Sequence, residues 1–275
     1  MFQLNKFSLI ITTRCNLRCK LCCEYVPQNK PFPDMTIEEE LSILEAFFRT
    51  VDRVSTLHLT GGGEPFLHPQ LSELIECAFM YEDKFDRLML FSNSTIPVKA
   101  ELADVLIKCK NKLIIQLSQY GINPKREAQT AKTLLDLGIN CKIEEYYGNK
   151  QAFGGWVDFG QWQSHERTDE QLADIFQNCA VTRSMLGNWR TRNGEIHWCS
   201  RSQRGTELGL LPVSTDDYVD LFDGSAIEEK RAKFLRIENA RALLACNYCS
   251  GDQGTSDTGK RISAAEQMEV VFDER

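Results

Sequence analysis

The chain of 275 residues carries 32 Lys and Arg against 39 Asp and Glu, a net charge of −7 with a pI of about 5.3. That balance argues against nucleic acid as a partner, and no stretch reaches the roughly 20 apolar residues of a membrane span. A hydrophobic fraction of 42% supplies a core without disulfide staples. With no signal peptide read at the start, the protein is expected in the cytoplasm, where its 11 cysteines stay reduced and point to metal.

In chain order, strands are expected at 7–12 (FSLIIT), 56–60 (TLHLT), 87–92 (RLMLFS), 113–118 (LIIQLS) and 140–147 (NCKIEEYY). Amphipathic helices are expected between them at about 36–50, 69–83, 100–110 and 124–137. The first helix opens on a capping box, Thr36 with Glu39, and Gly138 reads as a helix C-cap. This alternation predicts a parallel sheet covered by helices. Beyond it come a Gly- and Trp-rich loop at 148–160, a short helix at about 168–177, and a hairpin turning on Asn193-Gly194. The expected units are 1–160, 161–255, and a polar tail at 256–275.

Residues i and i+2 of a strand share a face. Leu113, Ile115 and Leu117 are apolar, whereas Gln116, Ser118 and Tyr120 are polar. Ile139, Cys141 and Ile143 likewise oppose Asn140, Lys142, Glu144 and Tyr146, and Leu57 and Leu59 oppose His58 and Thr60. With the apolar faces under the helices, the polar sets share an inner surface. A closed eight-stranded barrel fills its interior with aliphatic layers, so the fold class expected is α/β, a partial, open β/α barrel around a wet cavity, with a small C-terminal hairpin domain. Tyr120, Lys142, Glu144 and Tyr146 are the candidate substrate residues, and the loop with Gly154-Gly155 is expected over the cavity.

Cys15, Cys19 and Cys22 sit in one loop after the first strand. Structural zinc and iron–sulfur clusters both favour four protein ligands, so three thiolates leave an open coordination position. The second strand runs into TGGGEPFLHP, whose glycines let backbone approach a ligand at a strand end. CNLRCKLC, GGEP and FSN in this order resemble the radical S-adenosylmethionine (SAM) superfamily over residues 1 to about 147. The resemblance implies a [4Fe–4S] cluster on Cys15, Cys19 and Cys22, whose unique iron takes the amino and carboxylate groups of SAM. It implies that Gly62, Gly63 and Glu64, with Gly61 an extra glycine, present backbone to the SAM amine. Asn93 and Ser118 match positions lining the SAM pocket, and Leu21 matches the position packing on adenine. Two departures stand out: strand four reads LSQYG where many relatives have Ser-x-Asp-Gly, and strand five shows no clear glycine motif. A reduced cluster would cleave SAM to methionine and a 5′-deoxyadenosyl radical, which abstracts hydrogen from substrate. Flavodoxin or ferredoxin would supply the electron.

Cys179, Cys199, Cys246 and Cys249 form a second set. Read from residues alone it is a closed four-thiolate site that zinc or a cluster could fill. The spacing C-x9–15-G-x4-C followed by CxxC resembles the twitch domain, a shorter relative of the SPASM domain, which implies one auxiliary [4Fe–4S] cluster. Of the other thiols, Cys109 is expected in the core, Cys77 flanks a helix stripe and reads as inert, Cys141 faces the helices, and Cys23 reads as a bystander. His58 is read as a satisfied core histidine, His68 as a helix start, His165 as solvated linker and His197 as hairpin surface.

The plan is similar to that of the radical SAM aminocyclitol dehydrogenase of butirosin biosynthesis, which implies oxidation of a small polar alcohol. Epimerisation or peptide modification is the alternative. Epimerisation needs a thiol donor that only Cys23 offers, and peptide modifiers often carry an N-terminal leader-binding domain, which, with only 14 residues before Cys15, is expected to be absent or separate. A non-enzymatic iron–sulfur or zinc sensor is the third reading.

Overall fold

In the computed structural model, residues 1–151, 156–181, 189–252 and 261–269 are described. Eight strands form one sheet: β1 (Gln3–Thr12), β2 (Arg53–Gly61), β3 (Phe85–Ser92), β4 (Leu113–Gln119), β5 (Asn140–Glu145), β6 (Trp189–Thr191), β7 (Glu195–His197) and β8 (Tyr218–Asp220), in the order β5-β4-β3-β2-β1-β6-β7-β8. β1 to β5 are parallel, β6 runs parallel to β1, and β7 and β8 continue antiparallel. With β5 and β8 as its two edges, the sheet is open, as the polar inner faces required.

The helices are α1 (Ile37–Thr50), α2 (Leu71–Phe79), α3 (Ala100–Cys109), α4 (Pro124–Asp136), α5 (Asp169–Asn178), α6 (Ser200–Glu207) and α7 (Ile227–Glu238). α1 begins where the capping box lies: Thr36 Oγ1 accepts from Glu39 N and Glu39 Oε2 accepts from Thr36 N. α4 begins at Pro124 behind Asn123, whose side chain accepts from Arg126 N. It ends ahead of Gly138, whose φ of +73° is the left-handed value that glycine adopts without a Cβ penalty. The apolar stripes pack on one face of the sheet: Phe7, Leu9, Leu57, Leu59, Leu88, Leu90, Ile115 and Leu117 lie in one core with Leu44, Phe47, Leu74 and Leu106. Phe47 of α1 stacks on Phe7 of β1 at 3.7 Å between ring centroids.

The hairpin expected within a separate C-terminal unit instead extends the sheet, because β6 pairs with β1 through Phe7–Trp189 and Leu9–Thr191. Cys199 lies just past β7 and caps α6, its sulfur accepting from Ser202 N. The tail is not simply solvated either: Met268 N donates to Arg18 O at 2.7 Å and Lys20 N to Glu266 O at 2.8 Å, so residues 261–269 lie against the three-cysteine loop. His197 is 1% exposed rather than on the surface, its Nδ1 2.9 Å from Ser202 Oγ. A strand between β6 and β8 covered by α6 buries residues on both faces, which hairpin alternation alone does not reveal. His68 precedes α2 and is buried, with Nε2 3.0 Å from Met35 O.

Candidate active site and a second cysteine pocket

Strand β1 delivers the chain into the three-cysteine loop, and a polar clasp fixes that exit. Thr12 Oγ1 donates to Asp34 Oδ1 at 2.6 Å, Arg14 pairs with Asp34 at 2.5 Å, and Arg14 Nη2 donates to Leu67 O at 2.7 Å. The glycine run at the end of β2 then docks on the same backbone. Gly63 N donates to Thr12 O and Glu64 N to Arg14 O, at 3.2 and 2.8 Å. A Cβ on Gly63 would stand 1.9 Å from Arg14 O, so only glycine permits this approach.

Glu64 is 1% exposed and joins two strand ends: its carboxylate accepts from Phe66 N and from Asn93 N, at 3.1 and 2.7 Å. Burial pushes this carboxyl up to about 7, against the backbone donors that pull it down. Asn93 Nδ2 donates to Asn16 Oδ1 at 2.9 Å, and Asn16 Nδ2 to Thr95 Oγ1 at 2.8 Å. The ends of β2 and β3 are thereby hydrogen-bonded to the cysteine loop.

These segments enclose a cavity of about 320 Å³, within the range of small-molecule sites. Cys15, Cys19 and Cys22 line it together with Gly61, Gly62, Gly63, Glu64, Asn93 and Ser118. Leu17 lines it as well, whereas the half-buried Leu21 does not. The thiols have little help in ionising from the protein itself: burial raises Cys15 to about 12 and Cys19 to about 11. A metal cluster would supply the missing positive charge. Three soft ligands around an open cavity, beside backbone at two strand ends, fit a cluster that leaves one iron free for SAM. Among the described residues, no three His, Cys, Asp or Glu side chains converge on a single-ion site.

Of the four substrate candidates, Tyr120 lines the cavity, and the other three do not. Tyr120 and Tyr146 stack at 5.6 Å, and Trp156 meets both edge-on at 5.4 and 5.7 Å. Trp156, from the loop expected over the cavity, forms part of its wall; Gly154 and Gly155 lie outside the described residues. Lys142 and Glu144 pair with each other at 2.7 Å on the edge strand β5, with 58% and 35% of their side chains exposed. Ile143 on the opposite face is itself 41% exposed. Cys141 packs against the core under the helices.

Cys23, read as a bystander and as the one thiol donor on offer, lines the cavity. Sequence reasoning missed two other features of the site. Glu24 also lines the cavity and is held by the buried Arg190 at 2.6 Å, whose Nε donates to Gln203 Oε1. Gln267 Nε2 reaches Cys19 Sγ at 3.5 Å from the tail. Neither carries a local sequence signal, since each partner lies far along the chain. His58 is neutral on the inner face: burial lowers it to about 4, and Nδ1 lies 3.1 Å from Ser8 Oγ.

Cys179, Cys199, Cys246 and Cys249 line a second, smaller pocket of about 40 Å³ with Trp198 and Arg201. The pocket suits an anionic group. Arg167 Nη1 donates to Cys246 O and Cys249 O, at 2.7 and 2.8 Å. Trp198 is buried and its Nε1–H finds no acceptor among the described residues. An iron–sulfur group on four thiolates would bring both the negative charge and the acceptors.

The sequence matches the radical SAM superfamily over residues 9–145. That stretch is a radical SAM domain, a family that uses SAM and a [4Fe–4S] cluster. No curated protein matches the chain. Among solved structures it is similar to BtrN in complex with AdoMet and 2-DOIA, with 12% identity and TM-score 0.53, covering 95% of this chain and 99% of that one. Native anSMEcpe with bound AdoMet is similar at 13% identity and TM-score 0.53, over 83% of this chain and 80% of that one. Streptococcus suis SuiB bound to precursor peptide SuiA matches at 21% identity and TM-score 0.44, over 53% of this chain and 33% of SuiB. The chain therefore spans only a third of SuiB's length. At these identities the likeness speaks for the fold, an open α/β sheet.

Proposed function

We propose that the chain is a radical SAM oxidoreductase that abstracts hydrogen from a small polar substrate, a sugar- or aminocyclitol-like alcohol. The observation that carries this reading is the single cavity in which Cys15, Cys19 and Cys22 face the glycine run and the ends of β3 and β4. Cys15, Cys19 and Cys22 would hold the cluster, and the backbone of Gly62, Gly63 and Glu64, with Asn93 and Ser118, would orient SAM. Bound there, the cluster and SAM supply the 5′-deoxyadenosyl radical. Tyr120 and Trp156 bound the remaining space, and Glu24 offers a carboxylate to a hydroxyl or amine of the substrate.

Oxidation of an alcohol to a carbonyl removes one hydrogen atom from carbon, then a proton from oxygen and one electron. The buried four-cysteine pocket supports this outcome, since an auxiliary cluster on Cys179, Cys199, Cys246 and Cys249 would accept that electron. Flavodoxin or ferredoxin would supply the electron that starts the cycle. Cys23 on the cavity wall favours a second reading, epimerisation, in which a thiol returns hydrogen to the substrate radical.

The experiment is anaerobic reconstitution with dithionite and SAM. Wild type should release 5′-deoxyadenosine and Cys19→Ala should not; full activity in that variant refutes the assignment. With cyclitol and amino-sugar substrates in deuterated water, an oxidised product two hydrogens lighter supports dehydrogenation. A product of unchanged composition carrying one deuterium, lost in Cys23→Ala, supports epimerisation.

A further inference from the structure

The two cysteine sites are joined by one buried side chain. Arg201 is 4% exposed and lines the four-cysteine pocket. Its Nε and Nη2 donate to Tyr248 O at 3.1 and 2.5 Å, and Tyr248 lies between Cys246 and Cys249. Nη2 also donates to Gly160 O and Gln161 O, and Nη1 donates to the Tyr25 hydroxyl at 2.6 Å. Tyr25 closes the three-cysteine loop, its N donating to Cys22 O at 2.9 Å, in a left-handed conformation with φ of 55°. The guanidinium carbon lies over Trp162, 3.4 Å from its ring centroid.

Every one of these acceptors is neutral, and among the described residues no carboxylate pairs with Arg201. A buried cation without an anion costs several kcal/mol, so the missing negative charge belongs on the remaining side, in the pocket. Trp198 lines the same pocket, and its buried Nε1–H has no acceptor among the described residues. A four-iron core on four thiolates has a net charge of about 2− and exposes sulfurs as acceptors, both of which set its reduction potential.

We propose that Arg201 and Trp198 set the reduction potential of the iron–sulfur group held by the four cysteines, Arg201 as its counter-charge and Trp198 as a hydrogen-bond donor to sulfur. This rests on the auxiliary-cluster reading above. Reduction adds negative charge, so a fixed cation and a donor both favour the reduced form. Through Tyr25, the same guanidinium holds that pocket against the loop carrying the other cluster. Arg201 is thus a positioning residue as well as an electrostatic one.

The test uses the full chain in a Cys15→Ala, Cys19→Ala, Cys22→Ala background, which leaves only the four-cysteine site to load. Iron analysis should give about four irons per chain; none would overturn the cluster reading and this inference with it. Redox titration followed by electron paramagnetic resonance then compares Arg201→Gln, Arg201→Lys and Trp198→Phe. Arg201→Gln should cut the reduced-to-oxidised ratio about tenfold at the parent's midpoint, a shift of about −59 mV. Arg201→Lys should recover most of it by restoring the charge. Trp198→Phe, which keeps Arg201 and the packing, should cut the ratio about threefold. A loaded site with unchanged potential in either Arg201→Gln or Trp198→Phe overturns the inference alone.

Discussion

Adding one methyl group at Gly63 should break the joint between the glycine run and the cysteine loop. Its Cβ would stand 1.9 Å from Arg14 O, 2.4 Å from Arg14 C and 3.0 Å from Arg14 N. All three are backbone atoms, so no rotamer change relieves the clash. Restoring an ordinary carbon–oxygen contact of about 3.3 Å requires the strands to part by roughly 1.4 Å. That separation breaks the Glu64 N to Arg14 O bond and stretches the Gly63 N to Thr12 O bond. Overpacking at about 1–3 kcal/mol, with about 1 kcal/mol for each hydrogen bond, gives about 3–5 kcal/mol for Gly63→Ala. Native domains hold about 5–15 kcal/mol in total, so the protein still folds, weakened and with its site displaced. Gly62→Ala is the control. Its Cβ would meet only side-chain atoms, Thr13 Cγ2 at 3.3 Å, Ile10 Cγ2 at 3.4 Å and Glu24 Oε2 at 3.5 Å, costing no more than about 1 kcal/mol. Urea unfolding of both variants measures the difference, and 5′-deoxyadenosine release should fall about a hundredfold in Gly63→Ala from a displacement of this size. A Gly63→Ala protein as stable as Gly62→Ala would refute the reasoning.

Glu40 is fully buried in α1, neither carboxylate oxygen has a hydrogen-bond partner among the described residues, and burial raises it well above the ordinary carboxyl value. Its folded pKa exceeds its unfolded one, so its contribution is intact below pH 4.5 and is lost as pH rises toward the folded value. Glu40→Met should therefore stabilise by about 1–3 kcal/mol at neutral pH and flatten the decline in urea midpoint over the range from pH 4.5 up to neutrality. A variant less stable than wild type at the upper end of that range would contradict this. Lys142→Met removes one partner of an exposed pair; stability should change by less than about 1 kcal/mol and turnover hardly at all, and a tenfold loss of turnover would return Lys142 to the substrate site.

The alternation of apolar strands and amphipathic helices, the capping box at Thr36 and the glycines after β2 determined the open β/α architecture from sequence alone. Each is a local rule in which periodicity or a cap acts over a few residues. The same alternation put Cys141 on the helix side and Ser118 and Tyr120 toward the cavity. Parity could not say how far the inner face stays enclosed: β5 is an edge strand, so Lys142 and Glu144 reach solvent and pair there. Tertiary structure alone decided the rest. Gln267 reaches Cys19, Arg190 reaches Glu24, and Arg201 spans from Tyr25 to Tyr248. These contacts join residues up to 248 positions apart, and no periodic pattern in a chain encodes a pairing that exists only after the sheet has brought its distant segments together.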